Sequence, residues 1–345
     1  MPVETIINRQ ERIAENTAAP IGLPKYRIYS MCNLRGGIGK TTLSFNLSYL
    51  TDNLLAVDTC PQGNLSFFYD NKYYASNQTN VNNMLLPYLI PGLGKAGRVA
   101  SFIGATNPYF SKKNNYYIPS STELYLLPSQ LTTAINQTFG LPNAQKNQAL
   151  ENILLSLKTE IDREMGENNL DKCLIDTSPF FAGATQLSWY AADALIIPVR
   201  TDQQSINSLE LLISTLTNPN GEFRKYLPPE KARVPVIQMV ILTHCGWSTV
   251  AGARNVPNQQ TKVYLDKVYD ILSKHRTLLS TKVPENHLFL LDDFLGSGRI
   301  SSYESKPIEL LQAGQTKTIN RLRVSVNQSV EKCKNQLGFI SQQLW

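Results

Sequence analysis

Eight residues, RGGIGKTT at positions 35–42, constrain the fold of this 345-residue chain more than any other segment. A short β-prone run at residues 27–32 precedes them, and residues 41–50 follow without glycine or proline, which predicts a helix. Glycines let a backbone turn its N–H groups inward without Cβ clashes, and the N-terminus of a helix favours anions. A strand, a glycine loop and a helix in this order therefore predict a phosphate-binding loop.

The predicted loop divides phosphate binding among its residues. Lys40 would reach the β- and γ-phosphates of ATP, and the Thr41 hydroxyl would ligate Mg²⁺. Backbone N–H groups would surround the phosphate oxygens. The predicted loop residues are Arg35, Gly36, Gly37, Ile38, Gly39, Lys40, Thr41 and Thr42. The alternative is a glycine-rich turn that only caps a helix; the phosphate loop predicts ATP and Mg²⁺ as the cofactors.

Apolar runs separated by helical stretches follow the loop along the chain. Continuous apolar runs are typical of parallel strands that are buried on both faces. The predicted strands span residues 54–57, 173–175, 194–199, 236–242 and 288–291. The predicted helices span residues 149–164, 205–216 and 261–274. This alternation predicts an α/β fold of the P-loop NTPase class, a mostly parallel twisted sheet with helices on both faces.

Composition divides the chain into three parts and one excursion. Residues 1–25 are polar and end in a proline-containing stretch, which predicts an N-terminal arm with one or two helical turns and a linker. Residues 26–315 carry the alternation and are predicted to form the ATPase domain. Within them, residues 66–121 predict an excursion from the sheet and residues 124–127 a return to a strand. Residues 316–345 are predicted to form a C-terminal helical segment.

Cysteine spacing and charge narrow the class of protein. The five cysteines are widely spaced and predict neither a zinc site nor a disulfide framework, which fits a reducing cytoplasm. The net charge of +6 lies in the last third of the chain. Residues 222–345 contain 17 Lys/Arg against 10 Asp/Glu, whereas residues 1–221 contain 16 against 17. This asymmetry predicts an anionic partner such as nucleic acid or a lipid surface, or else a solvated basic surface.

Several motifs resemble those of one family. The first glycine of the general pattern G-x-x-x-x-G-K-[ST] is Leu34 here, and residues 33–42 resemble the deviant loop K-G-G-x-G-K-T-T of the ParA/MinD family of ATPases. DTCPQGN at 58–64 resembles the family's D-x-D-P-Q-G-N motif, and LIDTSP at 174–179 its Walker B segment. AADALIIPV at 191–199, LYLLPS at 124–129 and YESKP at 303–307 resemble further segments. The resemblance covers about residues 26–312 and is closest to the ParA-type partition ATPases.

The resemblance implies a cytoplasmic, nucleoid-associated ATPase that dimerises around two ATP molecules and hydrolyses them slowly. It implies non-specific DNA binding, a ParB-like stimulating or cargo-adaptor protein, and partition of a plasmid, chromosome or other cargo. It implies Lys40 and Asp58 as catalytic residues, Asp58 also near Mg²⁺, and Asp176 in the ATP site. Thr243 follows a predicted core strand, where this fold often recognises the nucleotide base; a simple strand end is the alternative.

Two positions depart from the family pattern. The first lysine of the family's loop is Arg35 here, which keeps the positive charge on a longer, planar group. Arg35 is predicted to stabilise phosphoryl charge, in cis or across a dimer. The second aspartate of D-x-D, which the family ties to positioning the attacking water, is Cys60. We therefore expect slow hydrolysis, and an ATP-binding switch with little turnover is an alternative.

Basic residues near the C-terminal end form a predicted DNA-facing patch. Lys317 and Arg321 are four positions apart and would share a helix face. A solvated helix face is the alternative. The predicted patch comprises Arg299, Lys306, Lys317, Arg321 and Arg323.

The last 20 residues place apolar side chains at helical spacing. This pattern predicts a helix packed on the sheet or on a partner subunit. The alternative is an amphipathic membrane anchor of the MinD type, which the narrow stripe and Gly338 disfavour. A metabolic P-loop enzyme or a metal-cluster carrier is a third class, and the lack of paired cysteines argues against the carrier.

Overall fold

The computed structural model describes residues 2–75, 79–95, 97–227, 233–250 and 255–345. The strands in these residues are β1 (Ile28–Met31), β2 (Leu54–Asp58), β3 (Ser101–Phe102), β4 (Tyr116–Ile118), β5 (Lys172–Asp176), β6 (Ala194–Arg200), β7 (Val236–Cys245), β8 (Leu288–Asp292), β9 (Thr316–Ile319) and β10 (Leu322–Ser325). The helices are α1 (Pro2–Ala14), α2 (Lys40–Leu50), α3 (Asn64–Tyr69), α4 (Val81–Leu89), α5 (Leu127–Thr138), α6 (Asn143–Leu154), α7 (Ser156–Glu167), α8 (Ala184–Ala191), α9 (Gln203–Thr217), α10 (Gln259–Lys274), α11 (Leu295–Glu304) and α12 (Val330–Gln342).

The described strands form one eight-stranded sheet and a separate hairpin. The sheet order is β3-β4-β2-β5-β1-β6-β7-β8, and β9 pairs with β10 alone. Neighbouring strands of the sheet run parallel except for β3, which is antiparallel to β4. The predicted α/β fold with a mostly parallel sheet is confirmed.

The two largest hydrophobic clusters lie on opposite faces of the sheet. Alternate residues of β1 belong to different clusters: Ile28 to the one that includes residues of α4 to α10, and Tyr29 to the one that includes residues of α2, α11 and α12. Both residues are fully buried. The continuous apolar strands therefore reflect burial on both faces, as the sequence predicts.

The strand register brings two aspartates together at the carboxyl ends of the central strands. Asp176, the last residue of β5, lies opposite Met31 of β1 and opposite Asp58 of β2. The glycine loop leaves the same end of β1. Two carboxylates from neighbouring strands therefore lie beside the start of α2.

The predicted strands and two of the three long helices are confirmed, with bounds that shift by up to three residues. The helix predicted at residues 149–164 is two helices, α6 and α7, which meet at Leu155. The strand predicted at residues 124–127 is wrong. Those residues form a 3₁₀ turn and the start of α5, where Pro128 lies in the first turn and needs no N–H partner. The sheet strand of this region is β4, inside the predicted excursion, where it pairs with β2.

Both ends of the chain differ from the prediction. The N-terminal helix α1 runs for 13 residues and buries Ile6 and Ile13, so it is more than one or two turns. Residues 316–325 are a β-hairpin, so the prediction that Lys317 and Arg321 share a helix face is wrong. Asn320 and Arg321 both have positive φ angles, 48° and 67°, which makes the two-residue turn that joins twisted strands.

The C-terminal helix α12 packs on the sheet. Val330, Cys333, Leu337 and Ile340 are buried in the cluster that contains Tyr29. This packing agrees with the preferred interpretation of the apolar stripe. Among the residues that the structure describes, no helix is both long enough and apolar enough to cross a membrane.

Candidate functional site

The glycine loop connects β1 to α2 through two left-handed residues. Gly37 has a φ of 71° and Gly39, which caps α2, has a φ of 91°. A Cβ at either position would meet no atom within 4 Å, so glycine is required there by backbone conformation and not by space. The loop backbone and the first turn of α2 form the N–H-rich turn that the sequence predicts for phosphate.

Lys40, the first residue of α2, has its ammonium group inside the loop. Its Nζ donates hydrogen bonds to the carbonyl oxygens of Arg35 at 2.8 Å and of Asn33 at 3.2 Å. Burial lowers the pKa of Lys40, and the negative charge of Asp176 acts in the opposite direction. A partly desolvated ammonium group is stabilised more by an anion than by neutral carbonyl oxygens. A phosphate group would supply that anion.

Asp176 is joined to the first turns of α2 by two hydroxyl groups. Thr41 Oγ1 donates to Asp176 Oδ2 at 2.8 Å, and Ser44 Oγ donates to Asp176 Oδ1 at 2.8 Å. The carboxyl group is fully buried, and burial raises its pKa. Thr41 and Asp176 thus present adjacent hard oxygen atoms at the loop.

Asp58 is held by the turn that follows β2. Its Oδ2 accepts hydrogen bonds from the Ser66 backbone N–H and the Ser66 hydroxyl, both at 2.8 Å, and its Oδ1 accepts one from the Cys60 N–H at 3.1 Å. Burial and the nearby Asp176 raise the pKa of Asp58. Each carboxylate therefore disfavours ionisation of the other, which a cation at this edge of the sheet would reverse.

The oxygen groups of the site fit Mg²⁺ shared with phosphate. Mg²⁺ prefers oxygen ligands and usually keeps waters while it bridges one or two protein groups and substrate phosphates. The described residues contain no cluster of three or more His, Cys, Asp or Glu side chains able to hold a metal ion by themselves. Thr41, Asp176 and Asp58 therefore suit a magnesium ion that arrives with a nucleotide.

Arg35 is directed toward α9 and not along the loop. Its guanidinium donates to the carboxylate of Asp202 and, at 2.8 Å, to the Ser205 hydroxyl. Asp202 also caps α9, since its Oδ1 accepts the Ser205 N–H at 2.9 Å. Burial by itself would raise the pKa of Asp202. The hydrogen bond from the Ser205 N–H and the contact with Arg35 together outweigh burial, so the pKa of Asp202 lies below its usual value.

A cavity of about 770 Å³ adjoins the loop. The ends of β7 and β8 and one face of α11 form its other walls. Thr243 lines it and donates from Oγ1 to the Ile38 carbonyl oxygen at 3.1 Å. His244, also in the wall, has a φ of 56°, an unusual backbone conformation that clusters at functional sites. The cavity has the size and the mixed apolar and polar lining of a nucleoside site.

The structure separates the predicted basic patch into different surroundings. Arg299 lies on α11 and lines the cavity beside the glycine loop. Lys317 pairs with Glu304 at 2.6 Å, and Lys306 lies over the Tyr109 ring at 5.8 Å from its centre. Arg321 and Arg323 are exposed in the hairpin. The five residues therefore form no single helical face.

Some residues of the site were not predicted from the sequence. Ser44 is one turn beyond Thr41 in α2, and that spacing is the signal that would have placed its hydroxyl beside Asp176. Asp202 precedes a helix and has the pattern of an N-cap, but nothing in the sequence pairs it with Arg35. Asp292, Asp293 and α11 form a wall of the cavity and follow the strand predicted at residues 288–291. The sequence therefore predicts the end of the sheet at which this wall lies, but not which of its side chains line the cavity.

A strand, a glycine loop and a helix, with Lys40 in the loop and Asp176 on the neighbouring strand, define a P-loop nucleotide-binding protein. The family model described as "AAA domain" matches residues 26–227. The chain belongs to this family of ParA/MinD-like P-loop ATPases, as the sequence motifs predict.

Known proteins are similar over most of the chain. Sporulation initiation inhibitor protein Soj of Bacillus subtilis (strain 168) is 25% identical over 258 residues, which cover 74% of this chain and 86% of Soj. A putative plasmid partition protein from Borrelia burgdorferi B31, solved with AMPPNP, superposes with a TM-score of 0.55 at 14% identity, over 93% of this chain and 100% of that one. An ATP complex of McdA from Cyanothece has a TM-score of 0.53 at 17% identity, over 82% and 88%. The two structures share the fold.

Proposed function

We propose that this chain is a ParA-like partition ATPase that binds Mg²⁺ and ATP at residues 35–42. The observation that carries the proposal is the pairing of a buried Lys40 ammonium with neutral loop carbonyls, beside a cavity of nucleoside size. Triphosphate and base then have separate places on one continuous surface.

The residues of the site act by positioning and by charge. Lys40 and the N–H groups of residues 36–42 bind the phosphate oxygens, and Arg35 stabilises phosphoryl charge after it leaves Asp202. Thr41 and Asp176 would hold Mg²⁺, which would neutralise phosphate charge. Asp58 lies opposite Asp176 in the strand register, and its carboxylate, which the turn after β2 holds in place, would act on the metal through water. Thr243 contributes to nucleotide binding at the cavity wall.

The proposed cycle couples nucleotide binding to assembly. ATP closes two copies of the chain into a dimer, the dimer binds DNA non-specifically, and a ParB-like partner stimulates hydrolysis and release. A putative plasmid partition protein among the proteins of the same fold supports the partition role in this proposal. Residues 26–315 would carry the cycle, at the nucleoid in the cytoplasm. Burial of the apolar face of α12 disfavours the MinD-like membrane alternative, because that face is occupied by the protein's own core.

An ATP-binding switch with little hydrolysis is the second candidate. Cys60 is buried beside Asp58, and burial followed by the Asp58 charge raises the pKa of its thiol. A neutral thiol then stands where the family pattern has a carboxylate. A thiol accepts hydrogen bonds weakly and would hold an attacking water poorly.

DNA affinity in three nucleotide states tests the proposed function. A fluorescently labelled duplex is titrated with protein in ATP, in ADP and without nucleotide, and anisotropy is recorded. We expect binding in ATP that is at least tenfold tighter than in ADP, and loss of that difference in Lys40→Ala. Equal DNA affinity in all three states would reject the partition switch, whereas phosphate release measured in parallel separates it from the low-hydrolysis switch.

A further inference from the structure

The β9–β10 hairpin is clamped onto the first turn of α11. A Cβ on Gly296 would lie 2.2 Å from the Ser325 carbonyl oxygen, so the helix approaches β10 as closely as glycine allows. Next along the helix, the Ser297 N–H donates to Asn327 Oδ1 at 3.1 Å, and the Asn327 N–H donates to Ser297 Oγ at 3.0 Å. Ser297 is fully buried. The hairpin and α11 therefore form one tightly packed unit.

This unit forms a wall of the nucleotide cavity. On α11, Arg299 and Tyr303 lie one helical turn apart and line the cavity together with Gly298. Ile319 of β9 lines it as well. A nucleoside in the cavity would therefore contact the helix and the hairpin together.

The outer side of the same unit is basic. A second cavity, of about 420 Å³, lies between α11 and β10. Arg299 and Arg323 line it with Asn327 and Gln328, and no Asp or Glu is among its lining residues. Arg321 is exposed at the adjacent turn, and neither Arg321 nor Arg323 forms an ion pair with another described residue. Guanidinium and amide donors without a carboxylate suit a phosphate group.

We propose that this second cavity binds a DNA backbone phosphate and that Arg299, shared by both cavities, makes this contact depend on the nucleotide. The proposal rests on the proposed function, which supplies DNA as the anionic partner. Charge complementarity favours DNA as the partner, because two arginines can bind a backbone phosphodiester without contacting the bases. The hairpin lies outside residues 26–227, so the family match does not assign it this role.

Charge variants of the hairpin test the proposal. Arg323→Glu reverses one guanidinium of the cavity. Arg321→Gly removes the neighbouring charge while placing at a φ of 67° the residue that prefers it, so the turn is retained even where Arg323→Glu disturbs folding. Arg276→Glu is the matched control, because Arg276 is exposed and lies near Leu279, which bridges to the opposite end of β7. Duplex binding is measured in ATP at several salt concentrations, with ATP affinity and thermal unfolding in parallel.

We expect Arg323→Glu to weaken DNA binding about tenfold and Arg321→Gly about threefold, each with a salt slope lower by about 1. Arg276→Glu should bind like the parent. Arg299→Ala should weaken ATP binding and also narrow the difference in DNA affinity between ATP and ADP. If the parent binds DNA and both hairpin variants bind it equally well, this proposal is overturned while the proposed partition function is retained. A parent that binds DNA in no nucleotide state would reject both, and hairpin-dependent binding to anionic vesicles without DNA binding would assign the cavity to lipid phosphate.

Discussion

The Arg35 guanidinium is paired with the Asp202 carboxylate, which ties the phosphate loop to the first turn of α9. The pair holds the one loop side chain that distinguishes this chain from the family's lysine pattern. In the proposed cycle, Arg35 must leave Asp202 before it contacts phosphate. Breaking the ion pair therefore costs free energy, which ATP binding has to offset.

Asp202→Asn should lower the free-energy cost of releasing Arg35 and so favour dimerisation in ATP. Asparagine keeps the N-cap of α9 and removes the charge that holds Arg35. The two side chains are 27% and 28% exposed, so we expect a gain of at most about 1 kcal/mol in each copy, or at most roughly 30-fold in the protein concentration at which ATP drives dimerisation of two copies. Light scattering across a protein dilution series in ATP measures this midpoint.

Arg35→Lys is the companion variant, since lysine is the family's residue and lacks the planar fork. It should dimerise in ATP with a weaker dependence on Asp202. A shift of the Asp202→Asn midpoint to higher protein concentration would contradict the account, because Asp202 would then be needed in the ATP state.

Cys60→Asp should raise the rate of ATP hydrolysis by tenfold or more. The new carboxylate would accept a hydrogen bond from an attacking water, a role in which general bases contribute factors of about 10² to 10⁴. Phosphate release at saturating ATP measures the rate, and Cys60→Ser is the control of similar volume. Equal rates for the three proteins would show that position 60 does not limit hydrolysis.

Asp176→Asn should stabilise the protein without nucleotide while abolishing its response to Mg²⁺ and ATP. Burial raises the pKa of Asp176 above its unfolded value of about 3.9, so the fold favours the neutral carboxyl. That contribution is complete below about pH 4 and is lost as the pH rises through the folded pKa. Above the folded pKa the ionised group destabilises the fold, and asparagine removes this effect. The Thr41 and Ser44 hydroxyls can rotate to serve the amide.

Thermal unfolding between about pH 5 and pH 8 checks this prediction. The parent should lose stability as the pH rises, and Asp176→Asn should show a flatter profile and a gain of about 1 to 2 kcal/mol at the upper end. Mg²⁺ with ATP should raise the midpoint of the parent and leave that of the variant unchanged. A variant less stable than the parent at pH 8 would show that the carboxylate is a structural group.

The sequence predicts the elements whose physics is local. A buried parallel strand needs a continuous apolar run, and the turn before α2 needs glycine at positive φ, so β1, the loop and Asp176 follow from residue order. The hairpin does not, because its turn uses Asn320 and Arg321 at positive φ in place of the usual Asn-Gly. The Arg35–Asp202 pair joins residues 167 positions apart and depends on the tertiary fold.

Sedimentation velocity in different nucleotide states tests the central claim most directly, namely that the loop around Lys40 is an ATP-dependent assembly switch. With Mg²⁺ and a non-hydrolysable ATP analogue, we predict a species of twice the monomer mass, and with ADP the 38.6 kDa monomer. Lys40→Ala should remain monomeric in both. The same sedimentation coefficient with ATP analogue, ADP and no nucleotide would contradict the account.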